Sequence, residues 1–261
     1  MKIAVIGTGK MGSWFAREFS RRNIVAVYDR DTKSMSQVEG AVLLRCLAEL
    51  KTFNPELVLN CVSLRKTIDV FKDMEPYVSR DCILSDIASI KGEIPNYYQS
   101  SNFRFASFHP MFGPLFANLS EIKDESVILI QESDRRAKEF LRNFFQDFHC
   151  RIFEYSFAEH DELMSYSLTL PFASSIVFSA CLRKGNVPGT TFSRHTEIAR
   201  KLFQEDSDLL SEVLFNPHSL RQLDIISSKL EFLKHVIRAR DYEEALKFLD
   251  RLRHNLQSIE E

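Results

Sequence analysis

Three short segments of this 261-residue chain bring together residue types able to do chemistry. In the first, Gly7-Thr8-Gly9-Lys10-Met11-Gly12 follows the apolar run Lys2 to Ile6 and precedes an amphipathic stretch, where a first strand would turn into a first helix. Such a turn aims backbone N–H groups and the positive end of a helix dipole at a pyrophosphate. Gly7 permits the tight bend, Gly9 the close approach of the phosphates, and Gly12 the packing of helix on strand. Asp29 ends the next apolar run 22 residues after Gly7, close to the roughly 20 at which a carboxylate meets ribose hydroxyls. The expected cofactor-binding set is Gly7, Thr8, Gly9, Lys10, Met11, Gly12, Asp29 and Arg30, with Val62, Ser63 and Ser89 beyond later strands. A carboxylate about 4 Å from a 2′-phosphate would repel it by about 4 kcal/mol per charge pair at an effective dielectric of about 20. Asp29 therefore favours NAD, while Arg30 beside it could hold a phosphate and leaves NADP open as a secondary cofactor.

The second and third segments are Ser85-Asp86-Ile87-Ala88-Ser89-Ile90-Lys91 and Phe108-His109-Pro110-Met111-Phe112-Gly113-Pro114, each following a β-type run. In a doubly wound sheet the carboxyl ends of such strands open on one crevice. Ser89, Lys91 and His109 would then converge near a nicotinamide. A lone histidine in a proline-rich turn can be purely structural. The neighbouring glycine and prolines, and the place at a strand end, favour the chemical reading. A neutral imidazole with a pKa near 6.5 can take the proton of an alcohol as hydride leaves.

The elements that must carry these residues follow from periodicity. Over the first 155 residues, short β-type runs alternate with amphipathic segments, the pattern of a parallel α/β sheet. Expected strands are Lys2 to Ile6, Ile24 to Tyr28, Leu57 to Val62, Ile83 to Asp86, Phe105 to Phe108, Val127 to Ile130 and Arg151 to Tyr155. Met11 to Arg21 and Asp134 to Phe148 read as helices, the latter with Ala137, Phe140, Leu141, Phe144, Phe145 and Phe148 on one face. Beyond residue 156 the β signals stop and helices are expected over 157–184, 193–204, 206–215, 217–239 and 242–258. Asn216-Pro217 reads as a cap with proline at the first helical position, and Asp241 with Glu244 as a capping box. Ala245, Leu249, Leu252, Leu256 and Ile259 form a narrow apolar seam that needs a partner, either the chain's own helices or a second subunit.

Composition narrows the function classes. Lys and Arg (34) nearly cancel Asp and Glu (36), so no polyanion-binding surface and no nucleic-acid partner is expected. Five cysteines without a CxxC suggest neither a disulfide framework nor a zinc site, and read as thiols in a reducing cytoplasm. The apolar run Leu168 to Leu182 is interrupted by Pro171 and falls short of the roughly 20 residues of a membrane span. Only eight glycines occur, where average usage would give about 18. Five of them (7, 9, 12, 92 and 113) lie in or beside the three segments.

With Gly7-x-Gly9-x-x-Gly12, Asp86-Ile-Ala-Ser89-Ile-Lys91, His109-Pro-Met-Phe-Gly-Pro114 and Glu159-His160-Asp161, the chain resembles the prephenate dehydrogenase family, which includes arogenate dehydrogenases. The resemblance covers nearly the whole chain, and the HPMFGP hexapeptide is its most specific part. It implies an N-terminal Rossmann-type domain over 1–155 and an all-α substrate and dimerisation domain over 156–261, joined in a cytoplasmic homodimer. It further implies NAD-dependent oxidative decarboxylation of prephenate or arogenate in tyrosine biosynthesis. His109 would be the catalytic residue, and Ser89 would hydrogen-bond with it beside the nicotinamide. Two departures stand out. Where the family places a substrate-gripping arginine, the segment Lys201-Leu-Phe-Gln-Glu-Asp206 has lysine, so Lys201, Arg200 and Arg194 are the candidate substrate cations. Where many members carry a further histidine, this chain has Phe172. Glu159-His160-Asp161 reads mainly as a helix cap. Rival readings are a β-hydroxyacid or imine-type dehydrogenase with a lysine as acid or base, and an NAD-binding regulator without turnover.

Overall fold

Four early segments are near-continuous runs of branched and apolar residues, as strands covered on both faces must be. They form β1 (Lys2–Ile6), β2 (Ile24–Tyr28), β4 (Leu57–Asn60) and β5 (Ile83–Asp86). The structure is a computed structural model that describes residues 1–113, 121–184, 189–205 and 207–258. Pro114, Asp206 and Ile259 of the segments named above lie outside the described residues. With β3 (Val42–Leu43), β6 (Arg104–Pro110), β7 (Ser126–Ile130) and β8 (Arg151–Tyr155), these strands make one eight-stranded sheet in the order β3-β2-β1-β4-β5-β6-β7-β8. All neighbours are parallel except β6 and β7. Sequence order reverses between β1 and β4, which places the crevice of a doubly wound sheet there.

Helices α1 (Lys10–Ser20), α2 (Thr32–Met35), α3 (Leu50–Phe53), α4 (Leu64–Met74), α5 (Ile94–Ser101) and α6 (Arg135–Asp147) accompany the strands. One face of the sheet packs Trp14, Phe15 and Phe19 of α1 against Ala137, Leu141 and Phe145 of α6, with Phe140, Phe144 and Phe148 at the margin. This is the aromatic face expected from the sequence. The opposite face packs Phe71 and Met74 of α4 with Tyr97 and Tyr98 of α5. Three strands differ from expectation, the first being β4, which ends at Asn60 rather than Val62. The two-residue β3 is too short to leave a periodic signal, and β6 runs on through His109 to Pro110 because β7 pairs with it there, His109 opposite Ile128.

After β8 every described element is helical: α7 (Phe157–Met164), α8 (Leu170–Ala180), α9 (Thr190–Leu202), α10 (Ser207–Leu214), α11 (Ser219–Ala239) and α12 (Tyr242–Gln257). The single helix expected over 157–184 is instead interrupted by a π-turn, Ser165–Thr169. Pro171 explains it, since a proline has no N–H to continue the α ladder and its ring crowds the preceding turn. Asn216-Pro217 does not cap α11, whose first residue is Ser219. Asn216 is buried instead, donating from its side-chain amide to the Asp161 carbonyl and accepting from the His218 N–H. Asp241 does cap α12 through the Glu244 N–H.

Together α7, the π-turn and α8 form 24 residues, Phe157–Ala180, long and apolar enough by composition to cross a membrane. That differs from the length read off Leu168 to Leu182, because α7 adds residues docked on the sheet: Met164 is fully buried beside Ile128 and Ile130 of β7. On α11 and α12, Phe232 meets Phe248 edge-on at 5.1 Å. Leu249, Leu252 and Leu256 of the seam remain exposed, as do Leu230, Leu233 and Ile237 of α11. The described helices of this chain therefore leave the seam uncovered.

Candidate active site

The glycine turn is held together by backbone contacts that a side chain would break. Gly7 sits at φ +90°, and its N–H donates to the Tyr28 carbonyl at 2.8 Å. A Cβ on Gly12 would lie 1.9 Å from the Gly7 carbonyl oxygen. On Gly9 a Cβ would meet nothing within 4 Å, so that face is open. Gly7 and Gly9 line a cleft of about 420 Å³ together with Asp29, Arg30, Val62 and Ser63. An open face on Gly9 at the start of α1, with an acidic residue across the cleft, fits a dinucleotide: the pyrophosphate would occupy the space a Cβ would fill, over the unpaired N–H groups of the first helical turn.

Asp29 is tied into this turn. Its Oδ2 accepts from the Thr8 N–H at 2.6 Å and from the Thr8 hydroxyl at 3.2 Å, and its Oδ1 accepts from the Asp31 N–H at 2.9 Å. Thr8 is thus a buried strut between turn and carboxylate. Lys10 is exposed and Met11 packs on the core, so their contribution to a cofactor is the backbone of the first helical turn.

Farther along the sheet a second group forms around His109. Three strand spacings separate β1 from β6, about 14 Å at roughly 4.8 Å each, so an extended dinucleotide lying on the glycine turn could reach it. His109 is 6% exposed. Its Nδ1 lies 3.1 Å from His160 Nε2, and His160 Nδ1 lies 2.9 Å from Asp161 Oδ1. Asp161 in turn accepts from the N–H groups of Lys91 and Gly92, both at 2.8 Å. Burial, then the neighbouring His160 and Lys91, hold the His109 imidazole well below the ordinary histidine range. Burial also lowers His160, outweighing its hydrogen bond to Asp161. For Asp161 burial acts upward but is overcome by the bonds from His160, Lys91 and Gly92, leaving it below the usual carboxylate range. The result is a pair of neutral imidazoles on an ionised carboxylate.

Lys91, expected among the substrate contacts, is placed differently. Its side chain is fully buried, its Nζ donating to Asp86 Oδ2 at 2.7 Å and to the Phe108 carbonyl at 2.9 Å. The other Asp86 oxygen accepts from the Tyr98 hydroxyl at 2.8 Å. This ion pair fastens the end of β5 to β6 directly behind His109, and its ammonium has no route to a ligand. Ser89 is half-buried, and among the described residues it makes no hydrogen bond to His109. Arg194, Arg200 and Lys201 are exposed on α9, with Lys201 Nζ 3.9 Å from Glu197. None of the three meets His109, Ser89 or Lys91. From this region Glu205 approaches the loop carrying His109, its Oε1 standing 3.8 Å from where a Cβ on Gly113 would lie.

Two residues of the cluster, His160 and Asp161, differ from their reading as caps. The cap of α7 is Ser156, which accepts from the Glu159 N–H while the Glu159 carboxylate accepts from the Ser156 N–H. Ser-x-x-Glu is a capping-box signature in its own right. Assigning the cap to Ser156 would have freed His160 and Asp161 to face the sheet.

Comparison with known proteins agrees with this geometry. Residues 15–154 match the model of "Prephenate dehydrogenase, nucleotide-binding domain". The chain is 23% identical over 260 residues to a Haemophilus influenzae "T-protein", covering 95% of this chain and 62% of that one. It is 23% identical over 272 residues to a Methanocaldococcus jannaschii "Probable arogenate/prephenate dehydrogenase", covering 95% and 59%. The chain thus spans about three-fifths of the length of these curated relatives. Among solved structures, prephenate dehydrogenase from A. aeolicus in complex with hydroxyphenyl propionate and NAD+ superposes with a TM-score of 0.85 at 19% identity, over 99% of this chain and 98% of that one. The fold is therefore shared along nearly the whole of both chains. With more than half of its length matched by the family model, the chain belongs to the prephenate dehydrogenase family and carries that family's nucleotide-binding domain, with a cleft that fits NAD.

Proposed function

We propose that this chain catalyses the NAD-dependent oxidative decarboxylation of prephenate to 4-hydroxyphenylpyruvate, a step of tyrosine biosynthesis. One observation carries the reading: a buried, neutral His109 at the end of β6, its Nδ1 taken by His160 and its Nε2 without a partner among the described residues. NAD supplies the hydride acceptor. His109 Nε2 takes the proton of the ring hydroxyl as hydride leaves the same carbon, the ring carboxylate departs as carbon dioxide while the ring becomes aromatic, and the resulting phenolate takes the proton back as the product phenol. General-base assistance of this kind is worth about 10²- to 10⁴-fold. Asp29 takes the adenosine ribose, Gly7, Gly9 and Gly12 with Val62 and Ser63 form the cofactor cleft, and Ser89 lies toward the nicotinamide. The substrate carboxylates fall to Lys201, Arg200 or Arg194, brought toward His109 from α9. Arogenate differs from prephenate by an amino group in place of the side-chain keto oxygen and is the alternative substrate. A β-hydroxyacid or imine-type reading is disfavoured because Lys91 is committed to Asp86.

The proposal extends to assembly. Residues 1–155 hold the dinucleotide, and residues 156–261 cover the substrate and pair two copies in a cytoplasmic homodimer. The exposed apolar rows of α11 and α12 support this, since contiguous exposed apolar side chains mark interaction surfaces. Initial rates with prephenate and arogenate, each with NAD and NADP, test the reading. The expected result is NADH formation from prephenate, lost by about 100-fold or more in His109→Asn while NAD still binds. Near-normal turnover in that variant would remove His109 from the chemistry.

A further inference from the structure

We infer that Asp161 and His160 form a tautomer-setting relay that fixes which nitrogen of His109 faces the substrate. This inference rests on the reading of His109 as the base. Both residues are positioning residues: neither is placed against substrate, and both act through the His109 ring.

The assignment follows from donors and acceptors along one chain of contacts. Asp161, ionised, can only accept. Its Oδ1 lies 2.9 Å from His160 Nδ1, so that nitrogen carries a proton and donates. A neutral imidazole has one N–H, which leaves His160 Nε2 as a lone pair. That lone pair lies 3.1 Å from His109 Nδ1, so His109 Nδ1 is the protonated nitrogen and its Nε2 is the free base. The reverse arrangement, with His160 donating to His109, would require protons on both His160 nitrogens. That would place a cation beside the buried Lys91 ammonium at a site where burial already disfavours charge.

The relay is built rigidly. His160 is fully buried, and Asp161 is gripped by the N–H groups of Lys91 and Gly92. The Asp161 carbonyl accepts from buried Asn216, which ties the same residue to the start of α11. When the substrate proton arrives at Nε2, His109 becomes an imidazolium that still donates from Nδ1 to His160, and the facing charges are the Asp161 and Asp86 carboxylates and the Lys91 ammonium. Without the relay, an isolated histidine would be free to carry its proton on Nε2 and present a donor where the reaction needs an acceptor.

Long-range ¹H–¹⁵N NMR of the histidine rings in the full-length protein at about pH 7.5 reads the tautomers directly, with the His109 signals assigned by their loss in His109→Asn. Expected are neutral rings with the proton on Nδ1 in both His109 and His160. A proton on His109 Nε2, or a cationic His160, would overturn the relay whether or not the protein turns over substrate. In His160→Leu, the His109 proton should move to Nε2, and kcat should fall by about 100-fold with the KM for NAD within about twofold. His160→Gln, whose side-chain oxygen can accept at the position of the lost Nε2, should keep kcat within about tenfold of wild type. Equal losses in the leucine and glutamine variants would also sink the proposal. If the tautomers are as assigned but His109→Asn remains active, the relay stands and the reading of His109 as the base fails.

Discussion

The two parts of the candidate site are made of different material. At the glycine turn the working parts are backbone: N–H groups, a helix end, and space left by missing side chains. Around His109 they are side chains from β5 and the loop after it, α5, β6 and α7, up to 75 residues apart, locked into one buried polar network of Asp86, Lys91, Tyr98, His109, His160 and Asp161. A backbone site tolerates whatever leaves its cavity open. A buried polar network tolerates little, because each member removed leaves another unsatisfied in a medium where that is costly.

The sharpest way to break the second half is to unpair its ion pair. In Lys91→Met, the buried Asp86 loses its cation, and stability to urea should fall by about 3–5 kcal/mol. A loss below about 1 kcal/mol would mean that water or another group reaches Asp86, and the network would not be as closed as its burial indicates. The glycine turn offers the opposite experiment. Because a Cβ on Gly9 meets nothing within 4 Å, Gly9→Val should leave the urea midpoint near wild type yet raise the Kd for NAD by about 100-fold, roughly 2.7 kcal/mol. Equilibrium titration monitored by Trp14 fluorescence or calorimetry checks this. Unchanged NAD affinity would place the pyrophosphate elsewhere.

Acid should distinguish the halves next. The folded-state pKa values of His109 and His160 both lie below the ordinary 6.5, so between those values and 6.5 the unfolded chain binds more protons than the folded one. Their contribution to stability is complete above about pH 6.5 and is lost as pH falls below it. At pH 5.5 the loss should reach up to about 1.4 kcal/mol per histidine, and His109→Asn should show a correspondingly shallower dependence. An identical slope in the variant would mean that His109 titrates normally. The smallest expected effect is at the surface. Lys201→Ala should raise the KM for prephenate by about tenfold, roughly 1.4 kcal/mol, with kcat changed less, and an unchanged KM would move the substrate cation to Arg200 or Arg194.

The difference in material also explains what could be read from the chain alone. Strand and helix order, the aromatic face of α6 and the glycine turn with Asp29 are contiguous patterns, set by periods of 2 and 3.6 and by the steric demands of one loop. HPMFGP marked His109 in the same way. Lys91 reads as a substrate contact in the sequence, whereas its ion pair depends on β5 and β6 lying side by side, which no local spacing encodes. His160 and Asp161 read as caps in the sequence although Ser156 and Glu159 already supply the box, so part of that signal is present and competes with itself. The exposed seam on α12 was legible as apolar and periodic, but whether α11 would cover it depended on the angle at which the two helices pack.

The sequence by itself determined the Rossmann-type order of elements and the backbone cradle for a dinucleotide, and singled out the histidine proposed as the base, because each element or motif is specified within a stretch of a dozen or so residues. Only the tertiary structure decided the environment of that histidine. Burial disfavours its charge, the β5–β6 ion pair fixes its strand, and α7 brings His160, 51 residues away, and Asp161 beside it to select its tautomer. Those properties arise from desolvation and from hydrogen bonds between segments far apart in the chain, and neither exists until the fold has closed around them.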